Sequence, residues 1–226
     1  MHLHETVDEI KDSYAKNGCR PIKRLADLGI LSHRFVGIHA TQLDDADIST
    51  IATTGVNIVH CPESNMKLAS GFCRVHELKN NFINVALGTD GCASNNDLDM
   101  ISEMRTATLI AKVIANDASA VPAHHAIEMA TLNGAKALGL DHLIGSIESG
   151  KHADLVAISM DDINQLPMYR PESNIVYSTQ ANQVRHVWCR GVPLLREGKL
   201  TTIHTTLLKE RVLKWQKTLG ESIKNN

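Results

Sequence analysis

Four stretches of the first 90 residues bring a side chain that can bind a metal or move a proton to the end of a short apolar run. These are His2 (with His4 and Glu5), His39, His60 and Asp90. Imidazole nitrogen and carboxylate oxygen are ligands for a divalent metal such as zinc, and the same groups act as general acids and bases. Each residue has a plainer reading. Glu5 precedes a helix start, where the dipole favours a carboxylate. His39 and His60 can be buried histidines satisfied by backbone groups, and Asp90 before Gly91 can be a turn former. Four successive strands ending in such groups weaken all of these readings together. His33, His76, His124, His125, His142, His152, His186 and His204 have no such placement and read as structural or solvated.

The elements that would position these groups alternate between strand and helix. A strand stub at 1–4 is followed by Thr6-x-x-Glu9, a capping box that starts a helix. A second helix runs over 21–28 and ends at Gly29. Residues 35–39 read as a strand, 44–54 as a helix closed by Gly55, and 56–60 as a strand. A loop through Gly71 leads to a short helix at 75–79, and 84–90 is the next strand. Met100, Met104, Ala107, Ala111 and Ile114 then recur at helical spacing. Such alternation implies βαβ units with a parallel sheet, and four units are half of a (β/α)8 barrel, whose catalytic groups sit at the C-terminal ends of the strands.

After Leu140 the pattern changes. Gly145 to Gly150 is turn-rich and leads to an apolar run at 153–158; 184–189 and 192–195 flank Arg190-Gly191 as in a hairpin. A last helix carries Leu208, Val212, Trp215 and Leu219 on one face. The expected fold class is therefore α/β: a partial barrel over 1–140, a segment with sheet outside the barrel over 141–204 and a C-terminal helix over 205–226.

Composition narrows the partners. The 226 residues are 43% hydrophobic and 21% charged, as in an ordinary globular protein. A net charge of −2 without a basic stripe argues against nucleic acid, and no apolar run approaches the ~18 residues that span a bilayer. The first residues do not read as a signal peptide. Five cysteines, odd in number and without a C-x-x-C pair, fit reduced thiols in a cytoplasmic protein.

Five segments, in order, carry a resemblance: His2-Leu-His-Glu-Thr6; Val59-His-Cys-Pro-Glu-Ser-Asn65 with Lys67-Leu68; Leu87-Gly-Thr-Asp-Gly-Cys-Ala-Ser-Asn-Asn96; Ala130 to Gly139; and Gly145-x-Ile-x-x-Gly150-x-x-Ala-Asp-Leu-Val156. They resemble the amidohydrolase superfamily and, within it, the methylthioadenosine/S-adenosylhomocysteine deaminases grouped with triazine and related aminohydrolases. The resemblance implies that 141–204 is part of a small β-sandwich domain, that His2 is the metal ligand from the fifth barrel strand and Asp90 the ligand from the eighth. It implies that Glu5 shares a proton with a ring nitrogen of the substrate, that His39 lies beside the attacking water, and that His60 lines the substrate pocket. The implied cofactor is zinc, and the implied reaction is hydrolytic deamination of a purine nucleoside with release of ammonia. A zinc ion lowers the pKa of its water to about 7. Asp90 can take the proton released on attack, a desolvated Glu5 can protonate the ring, and His39 can stabilise developing charge. The signature of the unrelated cytidine-deaminase fold is absent.

His2-Leu3-His4 also spells H-x-H, the metal motif of the family's first strand. Asp90 lies 88 residues after His2, room for about three strand–helix units at ~30 residues each, whereas a first-strand motif precedes the eighth-strand aspartate by seven. His2 is therefore placed on strand five, and strands one to four, with two further metal ligands, are expected outside this chain. Two ligands cannot close a three- or four-ligand site, and half a barrel leaves strand edges open to pairing. The expectation is a fragment of a longer enzyme, from a truncated gene model, an interrupted gene or a separately encoded half. A start inside a strand favours the first two. The missing half, or by resemblance a second copy, is the expected partner. The alternatives in function are another ring aminohydrolase or chlorohydrolase acting on guanine or a triazine, and an inactive truncated remnant.

Overall fold

In the computed structural model, which describes residues 1–224, contacts divide the chain into two units. One comprises Met1–Lys151 and Asp161–Ala181, the other His152–Met160 and Asn182–Asn226. The last two residues of the helix expected over 205–226 lie outside the described residues.

The first unit is built on four parallel strands in chain order, β1 (His2–Leu3), β2 (Val36–His39), β3 (Asn57–His60) and β4 (Val85–Leu87). Registers such as Leu3↔His39, Gly37↔Ile58 and Ile58↔Val85 leave β1 and β4 as the edges. Between them run α1 (Val7–Asn17), α2 (Pro21–Asp27), α3 (Asp45–Thr54), α4 (Pro62–Lys67) and α5 (Val75–Asn80). After β4 come α6 (Met100–Ala115), α7 (Ala123–Ala130), α8 (Leu132–Ala137) and α9 (Pro171–Tyr177).

Local chemistry sets these boundaries. Asp44 caps α3 in a reciprocal box with Asp47, and Gly55 ends the helix at φ +73°, its N–H returning to the Ile51 carbonyl. Pro21 and Pro62 start α2 and α4 where a missing N–H costs nothing. Leu3, Ile58 and Val85 from the strands pack with Ile22, Ile51, Leu78 and Met129 from the helices in one core. Each such side chain contributes roughly 1.5–3 kcal/mol on burial. Gly37 is required by that packing: a Cβ there would lie 2.9 Å from Leu3 Cδ2 and 3.4 Å from Ile58 Cδ1.

Three expectations differ from the structure. Residues 62–67 form α4 rather than loop, because Pro62 pre-sets the first helical φ although no apolar period announces a helix. Helices α7, α8 and α9 are short and were likewise unforeseen. Strand β4 ends at Leu87, not Asp90: the Gly88 N–H still bonds the His60 carbonyl, and the chain then turns away, with Asp90 at φ +61°.

The second unit holds an antiparallel sheet in the order β5 (Leu155–Ile158), β6 (Val184–Cys189), β7 (Val192–Arg196) and β8 (Lys199–Leu200). Arg190 and Gly191 join β6 to β7 with φ +50° and +77°, the two left-handed residues of a type I′ turn. The Arg190 N–H donates to Asp154 Oδ1 at 2.6 Å. The final helix, α10 (Thr205–Lys224), keeps the apolar stripe of Leu208, Val212, Trp215 and Leu219 exposed. Among the described residues no helix is long and apolar enough to cross a membrane.

Candidate metal centre

The backbone turns sharply where the strands end. His4, His39, Ala40 and Asp90 have φ of +52°, +79°, +51° and +61°, a region costly to non-glycine residues by about 1–3 kcal/mol each. Hydrogen bonds hold the turns. The Ala40 N–H donates to the Leu3 carbonyl, and the Thr41 and Gln42 N–H groups both donate to the His4 carbonyl. The Thr41 hydroxyl donates to the Glu5 carbonyl at 2.7 Å. Thr6 caps α1 as its sequence predicts, accepting from the Glu9 N–H at 3.2 Å. The Glu9 carboxylate reaches further back than a capping box requires, accepting from the N–H groups of His4 (3.0 Å) and Glu5 (2.6 Å). A helix-capping residue thereby clamps the segment that carries His2 and Glu5.

His2, Glu5 and His39 converge: one ligand atom from each lies within 4.8 Å of the others. The His2 and His39 rings meet edge to face at 5.0 Å between centroids, and Glu5 Oε2 is 3.8 Å from His39 Nε2. His39 is fully buried, and its Nε2 has no hydrogen-bond partner. Its Nδ1 lies 2.8 Å from Asn65 Oδ1, an acceptor, so the ring proton sits on Nδ1 and Nε2 presents a lone pair toward Glu5 and His2. A buried, unpaired nitrogen beside a second imidazole and a carboxylate fits a divalent cation that takes nitrogen and oxygen ligands.

Asn65 also reaches His60, its amide nitrogen 3.5 Å from His60 Nδ1. One amide thus faces one histidine with its oxygen and the other with its nitrogen, favouring opposite tautomers. His60 is 2% exposed, and burial, with a smaller push from His39, lowers its pKa to about 3. It is neutral at physiological pH.

Asp90 stands apart from the trio and joins no such ligand group among the described residues. Its Oδ2 accepts from the hydroxyls of Ser64 at 2.7 Å and Ser94 at 2.6 Å. Burial would raise the Asp90 carboxyl, but these bonds from Ser94 and Ser64, the Gly91 N–H and the nearby His39 together hold it below the usual range. It is ionised at neutral pH.

His4 has a different task from His2. It is fully buried, with Nε2 accepting from the Ile22 N–H at 3.1 Å and Nδ1 facing the Gln42 carbonyl, Asp47 and Arg20. It therefore satisfies an open N–H at the start of α2, and burial pushes its pKa down despite Asp47.

Ser64, Asn65 and Ser94 hold the candidate site, yet sequence reasoning gave them no role. They lie inside two of the quoted segments, which was the available signal. Their contacts became legible only once 62–67 was seen to be helical.

A family model described as "Amidohydrolase family" matches residues 1–194. The chain belongs to the amidohydrolase family. This amidohydrolase chain is 47% identical over 216 residues to a 5-methylthioadenosine/S-adenosylhomocysteine deaminase of Saccharophagus degradans, covering 96% of itself and 48% of that protein. It is 42% identical over 210 residues to a 5'-deoxyadenosine deaminase of Methanothermobacter thermautotrophicus, covering 93% of itself and 49% of that protein. It superposes on the crystal structure of an adenosine deaminase from Xanthomonas campestris with bound zinc at a TM-score of 0.95 and 46% identity, over 97% of this chain and 50% of that one. The chain thus spans about half the length of the relatives it matches.

Proposed function

We propose that this chain supplies half of the active site of a zinc-dependent deaminase that hydrolyses the amino group of an adenine nucleoside, 5'-methylthioadenosine or S-adenosylhomocysteine, releasing ammonia. In this reading β1 to β4 are strands five to eight of a (β/α)8 barrel. The open edges of β1 and β4 meet the other half, or a second copy of the chain. The single observation that carries the reading is the His2–Glu5–His39 cluster with its unpartnered His39 Nε2, in a chain 47% identical to a named deaminase. The cytoplasm is the proposed location, in keeping with five free cysteines.

His2 and Asp90 would hold the metal, with further ligands from outside the chain, because two cannot complete a zinc site. A zinc ion, when bound, supplies the Lewis acid that makes water nucleophilic near neutral pH. His39 Nε2, bare in the tautomer that Asn65 favours, would accept a hydrogen bond from the attacking water and orient it beside the developing charge, leaving the water's proton to Asp90. Glu5, partly exposed beside His39, shares a proton with a ring nitrogen of the purine, which lets the ring accept the nucleophile. Asp90, already ionised, takes the proton that the water sheds and returns it to the departing amine. His60, neutral throughout, lines the pocket as a fixed polar wall.

The test is a chimera joining residues 1–226 to the N-terminal half of the Saccharophagus degradans relative, assayed for ammonia release from a panel of adenine nucleosides, guanine and a triazine. Deamination of the adenine nucleosides, abolished by Asp90→Asn, is the expected result. A folded, zinc-loaded chimera that acts on guanine or the triazine instead, or on nothing, overturns the proposal.

A further inference from the structure

Glu103 on α6 carries a carboxyl group with no exposed surface, and such a group persists only if its oxygens are well used. Its two oxygens go to two different segments. Oε1 accepts from the Asn95 side-chain amide, in the loop between β4 and α6; Oε2 accepts from the Glu63 N–H, in the first turn of α4, at 3.2 Å. The residues next to these contacts are the ones that touch the candidate centre. Ser64 and Asn65 follow Glu63 and hold Asp90 and His39. Ser94 precedes Asn95 and holds Asp90 from the other side. Asn95 is itself oriented by the Leu98 N–H, which donates to its Oδ1 at 3.1 Å.

We propose that Glu103 is a positioning residue: by gripping α4 and the β4–α6 loop with one carboxyl group, it sets the tautomer of His39 and the placement of Asp90 without touching substrate or metal. The inference takes His39 and Asp90 as site residues from the proposed function, but it concerns contacts within this chain. The carboxyl group matters for its two acceptors. Both partners are N–H donors, and a carboxylic acid or carboxylate can accept at either oxygen, whereas an amide offers one acceptor and one donor. Burial, with Glu63 and Asp97 nearby, keeps Glu103 pushed up to about 8, so the group is largely uncharged at pH 7 and needs no counter-ion.

Nitrogen NMR of the histidine-labelled full chain tests this, with His39 signals identified by their absence in His39→Asn. In the native chain His39 should show a protonated Nδ1 and a bare Nε2, and the Glu63 amide should be protected from exchange. In Glu103→Gln the two His39 nitrogen signals should move toward one another, and the Glu63 amide should exchange about tenfold faster, the equivalent of one lost hydrogen bond. A purely structural Glu103 would lower thermal stability and leave the His39 tautomer untouched, and that result overturns the proposal. If Glu103→Gln does not fold, Glu103→Asp, which keeps the carboxyl group but shortens its reach, is read by the same His39 signals: their movement supports the proposal and unmoved signals overturn it. None of these readouts requires turnover, so a failure here is separable from a failure of the deaminase reading.

Discussion

Glu103 also gives the folded chain a pH dependence of calculable sign. Burial raises its carboxyl from 4.5 to about 8. Below pH 4.5 the group is protonated whether the chain is folded or not, and contributes no pH dependence. As pH rises from 4.5 toward 8 the unfolded chain loses this proton while the folded chain keeps it, so stability falls, by up to a tenfold change in the folding equilibrium per pH unit. Above about 8 both states are ionised and the loss levels off. Between pH 5 and pH 9 this one group should therefore destabilise the fold by about 4 kcal/mol. Glu103→Gln, uncharged in both states, should remove that slope whatever it does to stability at a single pH. Urea unfolding at pH 5, 6, 7, 8 and 9 measures it, followed by far-ultraviolet circular dichroism. Tryptophan fluorescence is the wrong signal, because Trp188 and Trp215 both belong to the second unit and Glu103 to the first. Parallel stability–pH curves for the native chain and Glu103→Gln would refute the reasoning.

Zinc titration calorimetry on the isolated chain should show His2→Ala and Asp90→Asn each weakening binding at least about tenfold, whereas a folded His4→Ala should leave it unchanged; weakening by both His2→Ala and His4→Ala, with none by Asp90→Asn, would show that H-x-H is the ligand pair. Gly37→Ala should cost about 1–3 kcal/mol in urea unfolding, because its Cβ would press on Leu3 across the strand, and an unchanged midpoint would contradict the packing. Thiol titration at pH 8 should label the exposed Cys92 and Cys189 quickly. Cys61 and Cys73, buried with thiols pushed up to about 12, should react only on unfolding; fast labelling of either in the native chain would refute that burial.

How much of this was legible beforehand depended on the physical range of each signal. The parallel strands, α3 with its Asp44 cap and Gly55 stop, and the hairpin at Arg190-Gly191 are written in local chemistry: apolar period, capping side chains and positive-φ residues act within a few positions. Helix α4 was not legible, because six residues hold too little period to announce themselves. Its consequence was not legible either, since contacts such as Asn65 to His39 span 26 residues and exist only after β2 and β3 pair.

The chain's own order of residues determined that His2, His39, His60 and Asp90 would follow successive strands, because strand polarity in a parallel sheet sends every such position to the same end. Tertiary structure alone decided which of them face one another. His2 and His39 meet while His4, two residues from His2, turns into the helical layer, since the left-handed bend at His4, the Ile22 N–H on α2 and the Asp47 carboxylate on α3 capture its ring. Asp90 is held ionised by two hydroxyls, that of Ser94, four residues along the same turn, and that of Ser64, 26 residues away, which only packing could deliver to its carboxylate.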